Sequence, residues 1–163
     1  MIIRDETPAD HAAITGVIDE AFRGRPYSDG REAAIVVGLR DADALTLSLV
    51  AEDESRIVGQ VAFSPVTIDE LHGQWHGLGP VSVTVGRQRQ GIGSRLITEG
   101  LARLRQLGSS GCVLAGDPAY YTRFGFHHYP QLVYPDLPPE HFMALPFRGI
   151  TPPGTVHFHP AFG

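Results

Sequence analysis

The chain has one cysteine, so no internal disulfide can form and a small scaffold stapled by bridges is excluded. That residue, Cys112, lies in the apolar run "CVLA" without electropositive neighbours, the setting of an inert reduced thiol rather than a nucleophile. Nowhere do about 18 apolar residues run together, which leaves no membrane span. The opening "MIIRDETPAD" turns acidic too early for the apolar stretch of a signal peptide. A cytoplasmic protein with no membrane partner is expected. An excess of basic charge is missing too. The formal net charge of −5 argues against a nucleic-acid partner, while a local patch such as Arg87 to Arg89 can still hold a small anion. No "GxSxG" elbow is present, which disfavours a serine hydrolase. Zinc-type cysteine spacing is also absent, so the histidines, including His127, His128, His157 and His159, predict no metal site.

What is present describes an ordinary folded protein. At 163 residues, with 42% hydrophobic and 19% charged positions, the chain fits one domain, residues 1–163, with an adequate core. "MIIR" reads as a short strand. Thr7, Pro8 and Asp10 then carry helix-start chemistry and predict a helix from Pro8 to Phe22. Asp29 and Glu32 have capping-box spacing ahead of Ile35, Val36 and Leu39, which share one face of a second helix. Leu45, Leu47 and Leu49 alternate with hydroxyl residues, and "RIVGQVAFSPVTI" returns as the second arm of a hairpin. "DELHGQWHGLGP" reads as a loop, and Pro80 as the start of a strand through Val81, Val83 and Val85. Gly79 and Pro80 together predict a bulge or a splayed edge. Ile92, Leu96, Ile97, Leu101, Leu104 and Leu107 recur at helical steps and give the strongest helix of the chain. A short buried strand, "CVLA", follows. Asp117 and Pro118 then start a short helix, "PAYYTRF", ended by Gly125. The proline-rich tail, 129–163, is expected to stay irregular until a closing strand in "GTVHFHPAF".

The corner "VGRQRQGIGSRL" carries the functional signal. Gly86 and Gly91 have the spacing of a nucleotide-binding P-loop, but Ile92 and Gly93 stand where its lysine and hydroxyl belong, so that chemistry is lost. A dinucleotide fingerprint fails as well, because Leu96 occupies the place of its third glycine. What survives is a strand, a glycine turn and a helix start whose unpaired amides favour a pyrophosphate. A tight turn with no ligand is the plainer reading of a bare glycine pair.

The surrounding residues resemble the GNAT superfamily of acyl-CoA-dependent N-acyltransferases. Gln88, Gly91 and Gly93 in "QRQGIG" match its Gln/Arg-x-x-Gly-x-Gly/Ala signature, and Tyr121, Gly125 and Phe126 match its Tyr-x-x-x-Gly-Phe segment. "GLGPVSV", "GDPAYYTRFGF" and the proline-rich tail are similar to the YhbS-like branch. The resemblance implies an α/β fold, with a mixed, mostly antiparallel central sheet flanked by helices and a splayed strand pair forming an acyl-CoA cleft. It implies that Val81, Ser82 and Val83 lie along the pantetheine arm of acetyl-CoA. Gln88, Arg89, Gln90, Gly91, Ile92, Gly93 and Ser94 would then surround the pyrophosphate. Two departures stand out: Val85 replaces a frequent proline, and "LAGDP" lacks the asparagine common after the next strand.

The implied activity is acetyl transfer from acetyl-CoA to a primary amine of a small molecule or protein, with Tyr121 as the acid that protonates the leaving sulfur. A tyrosine of pKa about 10 and a thiol of about 8.5 make that transfer uphill by about 2 kcal/mol. Tyr120 is its competitor for the role. No carboxylate lies on "LGPVSV", so the base is open among Glu70, His72, His76 and water, or is not needed by an acceptor of low pKa. Phe22, Tyr27, Asp29 and Arg31 are candidate acceptor-lining residues. The partner expected is thus a small-molecule or peptide amine, and a homodimer is compatible with the sequence. The rival function is a non-catalytic acyl-CoA sensor, which would keep the cofactor site and lack turnover.

Overall fold

Leu47, Leu49 and Ala51 point to one side of their strand while Ser48 and Val50 point to the other, and all five are buried. A strand buried on both faces needs a layer on each. The computed structural model describes residues 1–163 and supplies both. Its elements are β1 (Ile2–Asp5), α1 (His11–Phe22), α2 (Glu32–Asp41), β2 (Leu47–Asp53), β3 (Arg56–Ile68), β4 (Leu71–Val83), α3 (Ile92–Gln106), β5 (Gly111–Ala115), α4 (Pro118–Tyr121), β6 (Leu132–Val133), β7 (Phe142–Pro146) and β8 (Gly154–His157). The sheet runs β1-β2-β3-β4-β5-β7, with β8 pairing both β3 and β6. It is antiparallel except at β4–β5 and β6–β8. This is the mixed, mostly antiparallel α/β architecture expected.

Helix α3 covers one face, where Ile92, Leu96, Ile97 and Leu104 pack with Leu49, Val61, Phe63, Cys112, Leu114 and Phe126. Gly100 lets this helix lie flat, because a Cβ there would overlap the ring of Phe63. Helices α1 and α2 cover the other face through Ile14, Ile18 and Val36 against Val50 and Ala62. A third group, including Val66, Trp75, Val113, Phe142 and Val156, joins the tail to the sheet. Burial of a large apolar side chain contributes about 1.5–3 kcal/mol, so these groups dominate the stability.

The structure departs from the sequence expectations at four places, one being that the strand expected to run through Val85 ends at Val83. "DELHGQWHGLGP" is not a loop, since β4 begins at Leu71, immediately after the turn at Asp69 and Glu70. The inward alternation is hidden there because Gly73 and Gly77 flank Trp75 on the same side of the strand. The tail is less irregular than its prolines imply, because β7 docks on β5 from Gly111↔Pro146 to Ala115↔Phe142. The start of α2 is not a capping box. Glu32 instead accepts from Ser28 Oγ at 2.7 Å, and Asp29 accepts from the Arg31 amide at 3.0 Å.

The strand that matters for the site is β4. Its register against β3 slips between Val61↔Val81 and Phe63↔Leu78, so Gly79 and Pro80 form the anticipated bulge. On its other edge, β4 pairs with β5 only at Trp75, His76 and Gly77. Beyond that point Leu114 and Ala115 stay with β7, and the two strands part company. The result is the splay that the glycine–proline pair predicted.

Candidate active site

The amide of Thr84 donates to Val58 O at 2.9 Å, so even-numbered residues at the end of β4 turn their backbone toward β3. By alternation, Val81 and Val83 turn theirs toward the open edge. Behind them, Gln60 is fully buried and its Nε2 donates to Pro80 O at 3.2 Å and to Ser82 Oγ at 3.0 Å, fixing the bulge. The chain then passes through a short 3-10 turn, Val85–Arg87, to the start of α3.

At that start Gly91 is the N-cap, with φ 83, and no side chain caps the helix. The first amides of α3 have no intrahelical acceptor, and they carry the positive end of a fifteen-residue helix. Arg89 also sits at positive φ, 65, a conformation that costs a non-glycine residue about 1–2 kcal/mol. Such strain gathers where backbone is shaped for a ligand.

A cleft of about 710 Å³ lies over this corner and the open edge of β4. Its walls hold Val81, Ser82, Val83, Gln88, Arg89, Gly91, Ile92, Gly93 and Ser94, nine of the ten residues predicted to meet the cofactor. Gln90 is outside, its Oε1 accepting from Arg87 Nε at 3.0 Å. Gln88 has a structural bond as well, because its Nε2 donates to Val83 O at 3.0 Å. From α1 and the loop after it come Ala21, Phe22, Arg25 and Tyr27. Asp29 and Arg31 are not in the wall. They pair with each other at 2.8 Å.

All ionisable side chains of the cleft wall apart from the phenols are guanidinium groups: Arg25, Arg87, Arg89 and Arg123. No carboxylate and no imidazole joins them. Arg87 is held by Asp53 at 2.9 Å. Arg123 stacks on Tyr120, 4.4 Å from the ring centroid, which adds a cation–π contact. Neither Arg25 nor Arg123 was singled out in the sequence, since each reaches the cleft from a distant segment.

Of the two adjacent tyrosines, Tyr120 lines the cleft and bonds Ser94 Oγ at 3.1 Å. Tyr121 stands behind it, edge-on at 4.9 Å between ring centroids, and also packs against Phe126. Burial, with smaller contributions from Tyr120, Tyr27 and Asp117, pushes the Tyr121 phenol up to about 12. Its proton is therefore retained throughout the neutral range.

The candidate bases lie elsewhere. Glu70 is in the β3–β4 turn, His72 is exposed on β4, and His76 Nδ1 pairs with the buried Ser109 Oγ at 2.7 Å. Burial lowers the His76 pKa and favours its neutral form. Cys112 is fully buried and its thiol is pushed far up by desolvation. His159 Nδ1 accepts from the Ala161 amide at 3.0 Å, a capping role. No group of three His, Cys, Asp or Glu side chains is placed to hold a metal ion. No helix is long and apolar enough to cross a membrane.

A family model for the acetyltransferase (GNAT) domain matches residues 45–128. YhbS of Escherichia coli K12, an uncharacterized N-acetyltransferase, is 41% identical over 133 residues, covering 78% of this chain and 77% of that protein. A GNAT-family acetyltransferase from Brucella melitensis, solved in complex with acetyl-CoA, is 49% identical. It superposes with a TM-score of 0.90 over 99% of this chain and 97% of its own. The E. coli YhbS structure in complex with CoA gives a TM-score of 0.88 at 34% identity, covering 99% and 91%. The matched segment contains the bulged strand, the glycine corner and both tyrosines. By fold, sequence and the design of its cleft, the chain belongs to the GNAT family of acetyltransferases.

Proposed function

We propose that this chain binds acetyl-CoA in the cleft beside β4 and transfers its acetyl group directly to an amine. The observation that carries the reading is the corner from Arg89 to Ser94, where two left-handed residues and an uncapped helix start turn backbone donors toward a cleft opened by the splay. Oriented amides and a helix dipole suit a diphosphate, and Arg89 at the corner adds positive charge beside it. The relatives solved with acetyl-CoA and CoA support the same ligand.

Acetyl-CoA supplies an activated thioester. The protein's part is to orient it and to manage protons. The open-edge peptide groups of Val81 and the amide of Val83 are aligned to pair with the pantetheine arm, as an added strand would, while the Val83 carbonyl already accepts from Gln88. Ser82, accepting from Gln60, has its own proton free to donate. Tyr121 is the proposed acid for the departing sulfur. Tyr121 is half-buried and its hydroxyl makes no hydrogen bond within the protein, so its proton is not committed elsewhere. Tyr120 is tied to Ser94 and so serves the diphosphate side. A phenol near 12 facing a thiol of about 8.5 makes the transfer uphill by about 5 kcal/mol. The same desolvation raises the thiolate's affinity for a proton and narrows that gap. The working compartment proposed is the cytoplasm, where Cys112 stays a thiol.

A crystal of the protein with CoA tests the reading. The diphosphate is expected against the amides of residues 91–94, with the thiol toward Tyr121. A diphosphate bound elsewhere would remove the basis for it. Thiol release from acetyl-CoA with a mixed amine panel separates an enzyme from a sensor, which would bind and release nothing.

A further inference from the structure

The α1 side of the cleft is aromatic. Phe22 and Tyr27 meet edge to face with centroids 6.2 Å apart, and Tyr120 presents a third ring from α4. Tyr27 is 74% exposed, far more than a ring of its size needs to be, so it has surface left to cover. Asp19 lies in a separate surface pocket that also touches Phe22 and Arg25, outside the cleft wall, and three other carboxylates near this wall are engaged. Glu20 accepts from the Val85 amide at 3.0 Å, Asp29 from Arg31 at 2.8 Å and Glu32 from Ser28 at 2.7 Å. Arg25 is the contrary case: its Nε donates to Ala21 O at 3.4 Å, and no carboxylate pairs with it.

These facts constrain the acceptor. An alkyl amine of pKa about 10.4 arrives at pH 7 as a cation in all but roughly one molecule in two thousand. In the cleft wall it would meet guanidinium groups and neither a carboxylate nor an imidazole. An amine conjugated to an aromatic ring arrives neutral, needs no base before attack, and presents a flat face to Phe22, Tyr27 and Tyr120. We infer that the acceptor is an arylamine, favoured when its ring bears an anionic group that Arg25 can pair. The inference rests on the acetyltransfer reading above. In the reaction the amine nitrogen bonds to the acetyl carbon and the carbon–sulfur bond breaks. The nitrogen gives its proton to water, while the sulfur takes one from Tyr121, which solvent then restores.

The test uses the full chain with saturating acetyl-CoA, following thiol release and product mass with 4-aminobenzoate, 4-methylaniline and cyclohexylmethylamine. At pH 7, kcat/KM is expected to be about 10²-fold higher for 4-aminobenzoate than for the alkyl amine, with 4-methylaniline between them. From about pH 6.5 to 8.5 the arylamine rate should be flat, while the alkyl amine rate rises about tenfold per unit. Arg25→Gln should raise KM for 4-aminobenzoate about tenfold and that for 4-methylaniline far less. Preference for the alkyl amine, or acetyl-CoA binding with no thiol release from either arylamine, overturns the inference. Equal effects of Arg25→Gln on both arylamines would overturn the anionic preference. Failure to bind acetyl-CoA by calorimetry is a separate result, and it sinks the acetyltransfer reading itself.

Discussion

From Leu71 to Leu78, β4 is held by β3 on one edge and, at Trp75 to Gly77, by β5 on the other; from Gly79 to Val83 it keeps β3 alone. The first half carries Trp75, 2% exposed, in a core shared with the tail. The second half carries no large aromatic and has no strand on its outer edge, where the Val83 carbonyl already accepts from Gln88. One strand thus does two jobs, and a two-residue bulge marks the change. Damage to the closed half should appear as lost stability, and damage to the open half as lost binding or rate.

The largest effect is expected beside the open half. Tyr121→Phe should lower kcat by about 10²- to 10⁴-fold with little change in acetyl-CoA affinity, read by steady-state kinetics and calorimetry together. If affinity fell and kcat held, the acid role would pass from Tyr121. Next comes Gly91→Glu, which puts a side chain at φ 83 and a negative charge at the helix start. Acetyl-CoA affinity should drop about 10²-fold, and the strain of about 1–2 kcal/mol at this φ should lower the melting temperature by only a few degrees. In the closed half, Trp75→Phe should cost about 1–3 kcal/mol of unfolding free energy in urea, with cofactor affinity retained. An affinity loss there would erase the division between halves. Tyr120→Phe is expected to be milder, weakening cofactor binding a few-fold through the lost Ser94 bond. The smallest effect is on the alkaline limb. An acid must keep its proton, and burial holds the Tyr121 pKa near 12, so kcat should show no decline from this group up to about pH 10. A decline centred near 9 that vanishes in Tyr121→Phe would contradict the assignment.

Much of this was legible in the sequence, for reasons that differ by element. The six apolar positions from Ile92 to Leu107 repeat at the helical step, and α3 formed where they said. Gly79 and Pro80 announced the bulge because proline cannot join a central ladder and glycine tolerates the distortion. The first half of β4 was hidden because glycines occupy the positions where an apolar alternation would show. Strand β7 was hidden because "FMALP" is uniformly apolar between prolines, and its pairing with β5 is a long-range choice that no local pattern encodes. In the cleft, the corner residues were readable as one contiguous motif. Arg25 and Arg123 were not, since they become neighbours only through the packing of α1 and α4 around the sheet. The exchange of places between Tyr120 and Tyr121, one in the wall and one behind it, also depends on that packing.

Gly100 sits nine residues along α3 from the turn that begins it, and the bare peptide there rests against Phe63. The helix behaves as a rod seated on a ring, so the height of the seat sets the height of the tip. A methyl at position 100 would lift the rod and swing its donor end away from the strand, even though no substrate atom ever comes near that position. Random mutants selected for weakened coenzyme uptake should therefore include changes at this remote fulcrum.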